Sequence, residues 1–214
     1  MRLFLSSYRA GKHNAELLGL LGGIKKVAVV SNAKDYHQPE RRSQRMEEVY
    51  DFFKSLGIAT QEIDLRPFFS HEGIEEELAK HRFIWLAGGN TFLLRRALQY
   101  SGAADFLVKH VRDESLTMGG ESAGALINGP TLRGSEMEKD SDSPNFVPDG
   151  YKPEIIWDGL NLVDYVPVPH FGSEDYGEEM AKYIDYLNQN SIAHKDMTDD
   201  QAILIDGDKT EVLR

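Results

Sequence analysis

Gly120-Glu121-Ser122-Ala123-Gly124 follows the apolar stretch Leu116-Thr117-Met118-Gly119 and runs on into Ala125-Leu126-Ile127. The first stretch reads as the end of a short buried strand, and residues 123–127 can begin a helix. A serine at that junction sits on a sharp strand-to-helix turn. Flanking glycines let the backbone bend there without Cβ clashes and let a substrate approach closely. The serine hydroxyl is then exposed at the carboxyl edge of a sheet, with the Ala123 N–H pointing at the same spot. Such an N–H at a helix start suits an oxyanion. An ordinary glycine-rich turn can show the same five-residue pattern, so the neighbouring elements must decide.

Outward from this turn, short apolar runs alternate with amphipathic stretches. Residues 3–6 and 26–30 are predicted strands, and 44–56 show helical spacing through Met46, Val49, Phe52 and Phe53 before Gly57. Residues 59–65 alternate like a strand, 74–80 form a short charged helix, and 83–87 are a fully apolar strand. Helices are predicted at 91–99 and 103–113. Further on lie apolar runs at 155–157 and 160–168, a helix at 178–187, and a hairpin of 202–205 and 210–213 about Asp206-Gly207-Asp208. Strands apolar on both faces, alternating with helices, indicate a doubly wound, mostly parallel α/β sheet covered on both sides. Ligands of such sheets bind beyond the carboxyl ends of the strands. Gly88-Gly89-Asn90 and Gly120–Gly124 both follow strands directly, so both belong to that edge.

The chain has 214 residues, expected to form one domain over 1–214, and a formal net charge of −11. That charge argues against nucleic acid as the main partner, because phosphate binding needs clustered Lys and Arg. The basic cluster Arg41, Arg42 and Arg45 lies beside Glu47 and Glu48 and reads as a solvated helix face. The absence of cysteine excludes disulfides, thiolate metal sites and a cysteine nucleophile. The first residues read as a strand rather than a signal peptide, and no apolar run approaches the roughly 18 residues of a membrane span. A cytoplasmic protein without membrane partners is expected, with a homodimer an open alternative. Residues 133–149, rich in Ser, Asp, Glu, Pro and Gly, read as a long surface loop.

A serine needs a base, usually histidine, to take its proton. His13, His37, His71 and His81 lie in polar surroundings and read as surface residues. His110 falls within a helix, and His194 near a helix end, where a macrodipole contact explains it. His170 differs, since it ends the extended run Val166-Pro167-Val168-Pro169 and precedes the loop Gly172-Ser173. A carboxylate should hold its imidazole in the productive tautomer. Asp199 and Asp200, with Gln201 beside them, occupy a turn before a strand, and position alone does not separate them.

Gly88-Gly89-Asn90-Thr91-Phe92, Gly120-Glu121-Ser122-Ala123-Gly124-Ala125 and Pro169-His170-Phe171 together resemble the peptidase E group of serine peptidases, peptidase family S51. Its members include aspartyl dipeptidases and, more distantly, cyanophycinases. The motifs stand in family order over nearly the whole chain. The resemblance implies a flavodoxin-like α/β fold, Ser122 as nucleophile, His170 as base, and a serine–histidine–acid order unlike that of α/β-hydrolases. It implies Asp199 as the acid, and Gly89 N–H beside Ala123 N–H as the oxyanion donors. Gly88, Asn90 and Glu121 become the expected substrate contacts. Cofactors and metals are not implied. The aspartyl dipeptidases usually carry Trp where this chain has Glu121, a Glu where it has Asp199, and an Arg downstream of the histidine. Here residues 171–181 hold four carboxylates and no Arg, with one expected rescue in Arg133. A negative pocket that disfavours acidic substrates follows. The expected activity is hydrolysis of short peptides, dipeptides in the first place, through an acyl-enzyme. A non-peptide esterase or amidase, and a catalytically silent amine-binding protein, are the alternatives.

Overall fold

A computed structural model describes residues 1–69, 72–136 and 143–214. Lys26–Val30, the second strand, shows in one segment how the sheet is built. Val27 and Val29 point to one face, and Ala28 and Val30 to the other, all without solvent exposure. Side chains of a strand alternate between faces, so a strand apolar throughout needs cover on both sides.

The elements run β1 (Arg2–Ser6), α1 (Asn14–Leu21), β2 (Lys26–Val30), α2 (Pro39–Ser55), β3 (Ala59–Ile63), α3 (Ile74–Leu78), β4 (Phe83–Leu86), α4 (Thr91–Ser101), α5 (Ala103–Arg112), β5 (Thr117–Glu121), α6 (Ala123–Leu126), β6 (Val166–Val168), α7 (Gly177–Gln189), β7 (His194–Asp196), β8 (Ala202–Asp206) and β9 (Lys209–Leu213). Seven strands form one sheet in the order β3-β2-β4-β5-β1-β8-β9. The pairs from β3 to β1 are parallel, and β8 and β9 close the edge antiparallel. This is the α/β, doubly wound, flavodoxin-like arrangement expected from the sequence.

Each face of the sheet has its own core. Leu3, Leu5, Ala28, Val30, Ile84 and Leu86 pack with Leu93, Leu94, Leu107 and Val111 of α4 and α5. Phe4, Val27, Val29, Phe83 and Trp85 pack with Leu17 and Leu20 of α1 and Met46, Phe52 and Phe53 of α2. A third cluster sits apart: Val166 and Val168 of β6 and Met180, Tyr183 and Leu187 of α7 close over Phe92 and Leu126. There β6 and β7 pair parallel as a two-stranded sheet, joined through α7.

Several boundaries differ from the sequence reading. The α2 helix starts at Pro39, a residue favoured in a first turn, rather than at 44. The helix α1 and the strand β7 were not anticipated. Residues 155–157 form no strand, and the adjoining Asp158 makes only an isolated bridge to Thr131. His71 and part of the 133–149 loop lie outside the described residues.

Candidate functional site

Glu121 ends β5 and Ala123 opens α6, leaving Ser122 alone in the turn with φ 52° and ψ −116°. A side chain at positive φ costs of order 1–3 kcal/mol and persists only where its surroundings enforce it. Here the Ser122 N–H bonds to the Ser6 and Ser7 carbonyls at 3.0 and 3.1 Å, fastening the turn to the end of β1. The two motif glycines serve the fold rather than the substrate. A side chain at Gly120 would strike the Gly124 carbonyl, and one at Gly124 would strike that of Leu86. Their role is close backbone packing, which differs from the bending and substrate approach expected.

His170 and Asp199 arrive from the small sheet. His170 stands two residues past β6, also at positive φ (57°), and Asp199 three residues past β7. Backbone bonds continue the pairing beyond both strands, from Met197 N–H to Val168 O at 2.8 Å and from Phe171 N–H to Met197 O at 3.0 Å. The two side chains are thereby brought face to face.

His170 Nδ1 lies 2.7 Å from Asp199 Oδ1, and Nε2 lies 2.9 Å from Ser122 Oγ. The bond to His170 is the main cause holding the Asp199 carboxyl below its ordinary pKa, against desolvation that would raise it. An ionised carboxylate only accepts, so Nδ1 carries the proton and Nε2 is free to accept from the serine. Ser7 completes the frame: its hydroxyl donates to Asp199 Oδ1 and accepts from the His170 N–H, both at 2.7 Å. Ser7 is a site residue the sequence reading missed. The neighbours of Asp199 are occupied elsewhere: Asp200 pairs with Lys12, and Gln201 Oε1 accepts from Thr198 N–H.

Gly88, Gly89, Glu121, Ser122, Ala123, His170 and Asp199 all line one cleft of about 560 Å³. Among the described residues, neither the Gly89 nor the Ala123 amide donates a hydrogen bond. Because α6 has only four residues, Ala123 offers a single N–H rather than a helix dipole. Gly89 has φ 143°, and a side chain on it would run into the Ala33 carbonyl. Asn90 departs from the expected substrate contact. It is fully buried, and its side chain caps α4 by accepting from Leu93 N–H at 2.9 Å. Glu121 lines the cleft, but its carboxylate accepts from the Arg9 N–H at 2.7 Å.

The expected negative pocket keeps an excess of carboxylates but is not without cations: Arg9, Lys34 and Arg45 line the cleft together with Glu48, Glu121, Glu174, Asp175 and Asp199. Arg133 plays no part there, its guanidinium lying 4.7 Å from the Trp157 ring centre. The basic cluster is a solvated face only at Arg41: Arg45 reaches the cleft, and Arg42 bonds to Asp35 at 2.8 Å in a half-buried network. Of the histidines read as surface residues, His13 and His81 have side chains only 12% and 7% exposed. His194 lies within β7, its Nδ1 2.7 Å from Asp196 Oδ1. Among the described residues, no group of three His, Asp or Glu side chains is placed to hold a metal ion, and no helix is long and apolar enough to cross a membrane.

Comparison with known proteins agrees in family and fold. The model of peptidase family S51 matches residues 6–213. An uncharacterized peptidase of Pasteurella multocida is 32% identical over 164 residues, 76% of this chain and 73% of the relative. A crystal structure of a candidate peptidase E from Listeria monocytogenes superposes with TM-score 0.77 at 24% identity, covering 100% of this chain and 98% of that one. A peptidase from an acI-B1 actinobacterium gives TM-score 0.61 at 14% identity over 99% and 86%. At these identities the two structures speak to the fold.

Proposed function

Because the chain belongs to peptidase family S51, it is a peptidase, and we propose that it hydrolyses short peptides, dipeptides in the first place, by serine catalysis. The hydrogen-bonded chain Ser122–His170–Asp199 carries this reading. Ser122 Oγ attacks the scissile carbonyl carbon while Nε2 of His170 takes its proton. The electron pair of the carbonyl moves onto oxygen, where the Gly89 and Ala123 amides stabilise it. Collapse expels the amine, which leaves with the proton held by His170. Water then attacks the acyl-enzyme by the same route and releases the acid. Asp199 keeps the imidazole in the required tautomer and stabilises the imidazolium.

Hydrolysis of a dipeptide library by the purified protein tests this function. Several dipeptides should be cleaved, and Ser122→Ala should abolish cleavage while leaving the fold unchanged. Near wild-type turnover in Ser122→Ala would overturn the mechanism, and a protein that cleaves simple esters but no peptide would favour the non-peptide alternative.

A further inference from the structure

Lys34 is not part of the Ser122–His170–Asp199 chain, yet it lines the same cleft with only 9% of its surface exposed. It ends the short turn Asn32–Lys34 that follows β2. Burying an ammonium is costly unless it is well paired, and desolvation lowers the Lys34 pKa while nearby Glu121 opposes that shift. Its Nζ donates to the Gly88 carbonyl at 2.9 Å.

That carbonyl belongs to the same peptide unit as the Gly89 N–H. The unit is trans, so the C=O and the N–H point in opposite directions from one rigid plane. Holding the oxygen therefore fixes the direction of the N–H. The next peptide is held as well, since Asn90 N–H bonds to Ala33 O at 2.7 Å. The Ala33–Lys34 turn thus grips two successive peptides of the glycine loop. A cation on the carbonyl also polarises the peptide, and hydrogen bonds in series strengthen one another.

We propose that Lys34 is a positioning residue for the oxyanion site, orienting and polarising the Gly88–Gly89 peptide so that the Gly89 N–H meets the charge that develops on the substrate oxygen. This rests on the serine-peptidase reading above. The stabilised charge exists only along the reaction path, so loss of Lys34 acts on kcat rather than on KM.

The test compares wild type, Lys34→Met, Lys34→Gln and Lys34→Arg on the best dipeptide and with a fluorophosphonate probe, whose phosphoryl oxygen draws on the same donors. Removing an oxyanion donor outright costs about 10²–10³ in kcat. Misaiming one should cost less, so Lys34→Met is expected to lose roughly 10- to 100-fold in kcat with KM within about twofold. Labelling should slow in parallel, and Lys34→Arg should recover part of the loss. Unchanged kcat and labelling in folded Lys34→Met, or a rise in KM alone, would overturn the proposal. Should Lys34→Met fail to fold, a lower kcat for Lys34→Gln than for Lys34→Arg at equal KM supports it, and equal kcat values overturn it. A wild type that neither labels nor cleaves peptides fails the parent reading and takes this one with it. An active wild type with an indifferent Lys34 fails this one alone.

Discussion

The seven-stranded sheet and the β6–β7 pair meet at one cleft but hold their residues by different means. Ser122 and the two amides sit on the carboxyl edge of the large sheet, where β4 and β5 are buried along their whole lengths. His170 and Asp199 ride on two three-residue strands and one helix, with a small core of their own. Ser122 is thus part of the main framework, while His170 and Asp199 belong to a unit docked on it. Precision across the seam comes from a few bonds, chiefly those of Ser7, which leaves β1 and reaches both His170 and Asp199. The large sheet should therefore set whether chemistry occurs, and the small unit how well the proton is handled.

The largest effects should come from breaking the seam at its centre. His170→Ala should cost about as much as Ser122→Ala, on the order of 10⁴–10⁶ in kcat, and the double variant little more, because the residues act as a unit. Steady-state kinetics of the three variants checks this, and additive losses would show that they act separately. Asp199→Asn should follow, with a loss of roughly 10³–10⁴ from the wrong tautomer. The Asp199 carboxyl titrates below its ordinary range. Its contribution to stability is therefore complete above the unfolded carboxylate pKa and is lost as pH falls through the lower folded value. Thermal unfolding of wild type and Asp199→Asn should accordingly diverge above that range and converge in stronger acid.

A sharper probe of the comparison is Leu187→Ala, in the core of the small unit and far along α7 from the reacting atoms. It should destabilise by about 2–5 kcal/mol and lower kcat while the large sheet stays folded. Unfolding followed by far-UV and near-UV circular dichroism would show whether the unit loosens alone. Ser7→Ala should cost about tenfold in kcat, since it removes two hydrogen bonds that orient base and acid but no reacting group. The smallest effect concerns charge. With Arg9, Lys34 and Arg45 set among carboxylates in the cleft, kcat/KM for Asp-Leu, Lys-Leu and Ala-Leu should agree within about tenfold and converge further at high salt. A preference of more than about 100-fold for Asp-Leu would show that Arg9, Lys34 and Arg45 govern selection.

Much of this was legible in the residues because β4 is apolar along its length and β2 is so after Lys26. The strand β2 was read to its limits, and the helices α4 and α5 to within two residues. Gly-x-Ser-x-Gly pointed to its turn because the strand before it and the helix after it both have local signals. The strand β7 has none: His194, Lys195 and Asp196 are polar and only half-buried, and their strand exists only because β6 pairs with them. Lys34, Arg9 and Ser7 were missed for a different reason. They follow β2 and β1 at the same carboxyl edge that marked Gly88–Asn90 and Ser122, so the rule that located the loops after β4 and β5 applies to those after β1 and β2 as well. Charge, by contrast, could not be summed along one segment, since the cations that line the cleft with Glu174 and Asp175 come from residues more than a hundred positions earlier.

On the proposed mechanism Ser122 is the nucleophile, and His170 activates it across the seam between the two sheets. Intact-mass measurement after fluorophosphonate treatment, followed by peptide mapping, tests it most directly. A single adduct per chain is expected, on Ser122, formed by wild type, absent in Ser122→Ala and strongly slowed in His170→Ala. An adduct on another residue, or wild-type labelling rates in His170→Ala, would contradict it.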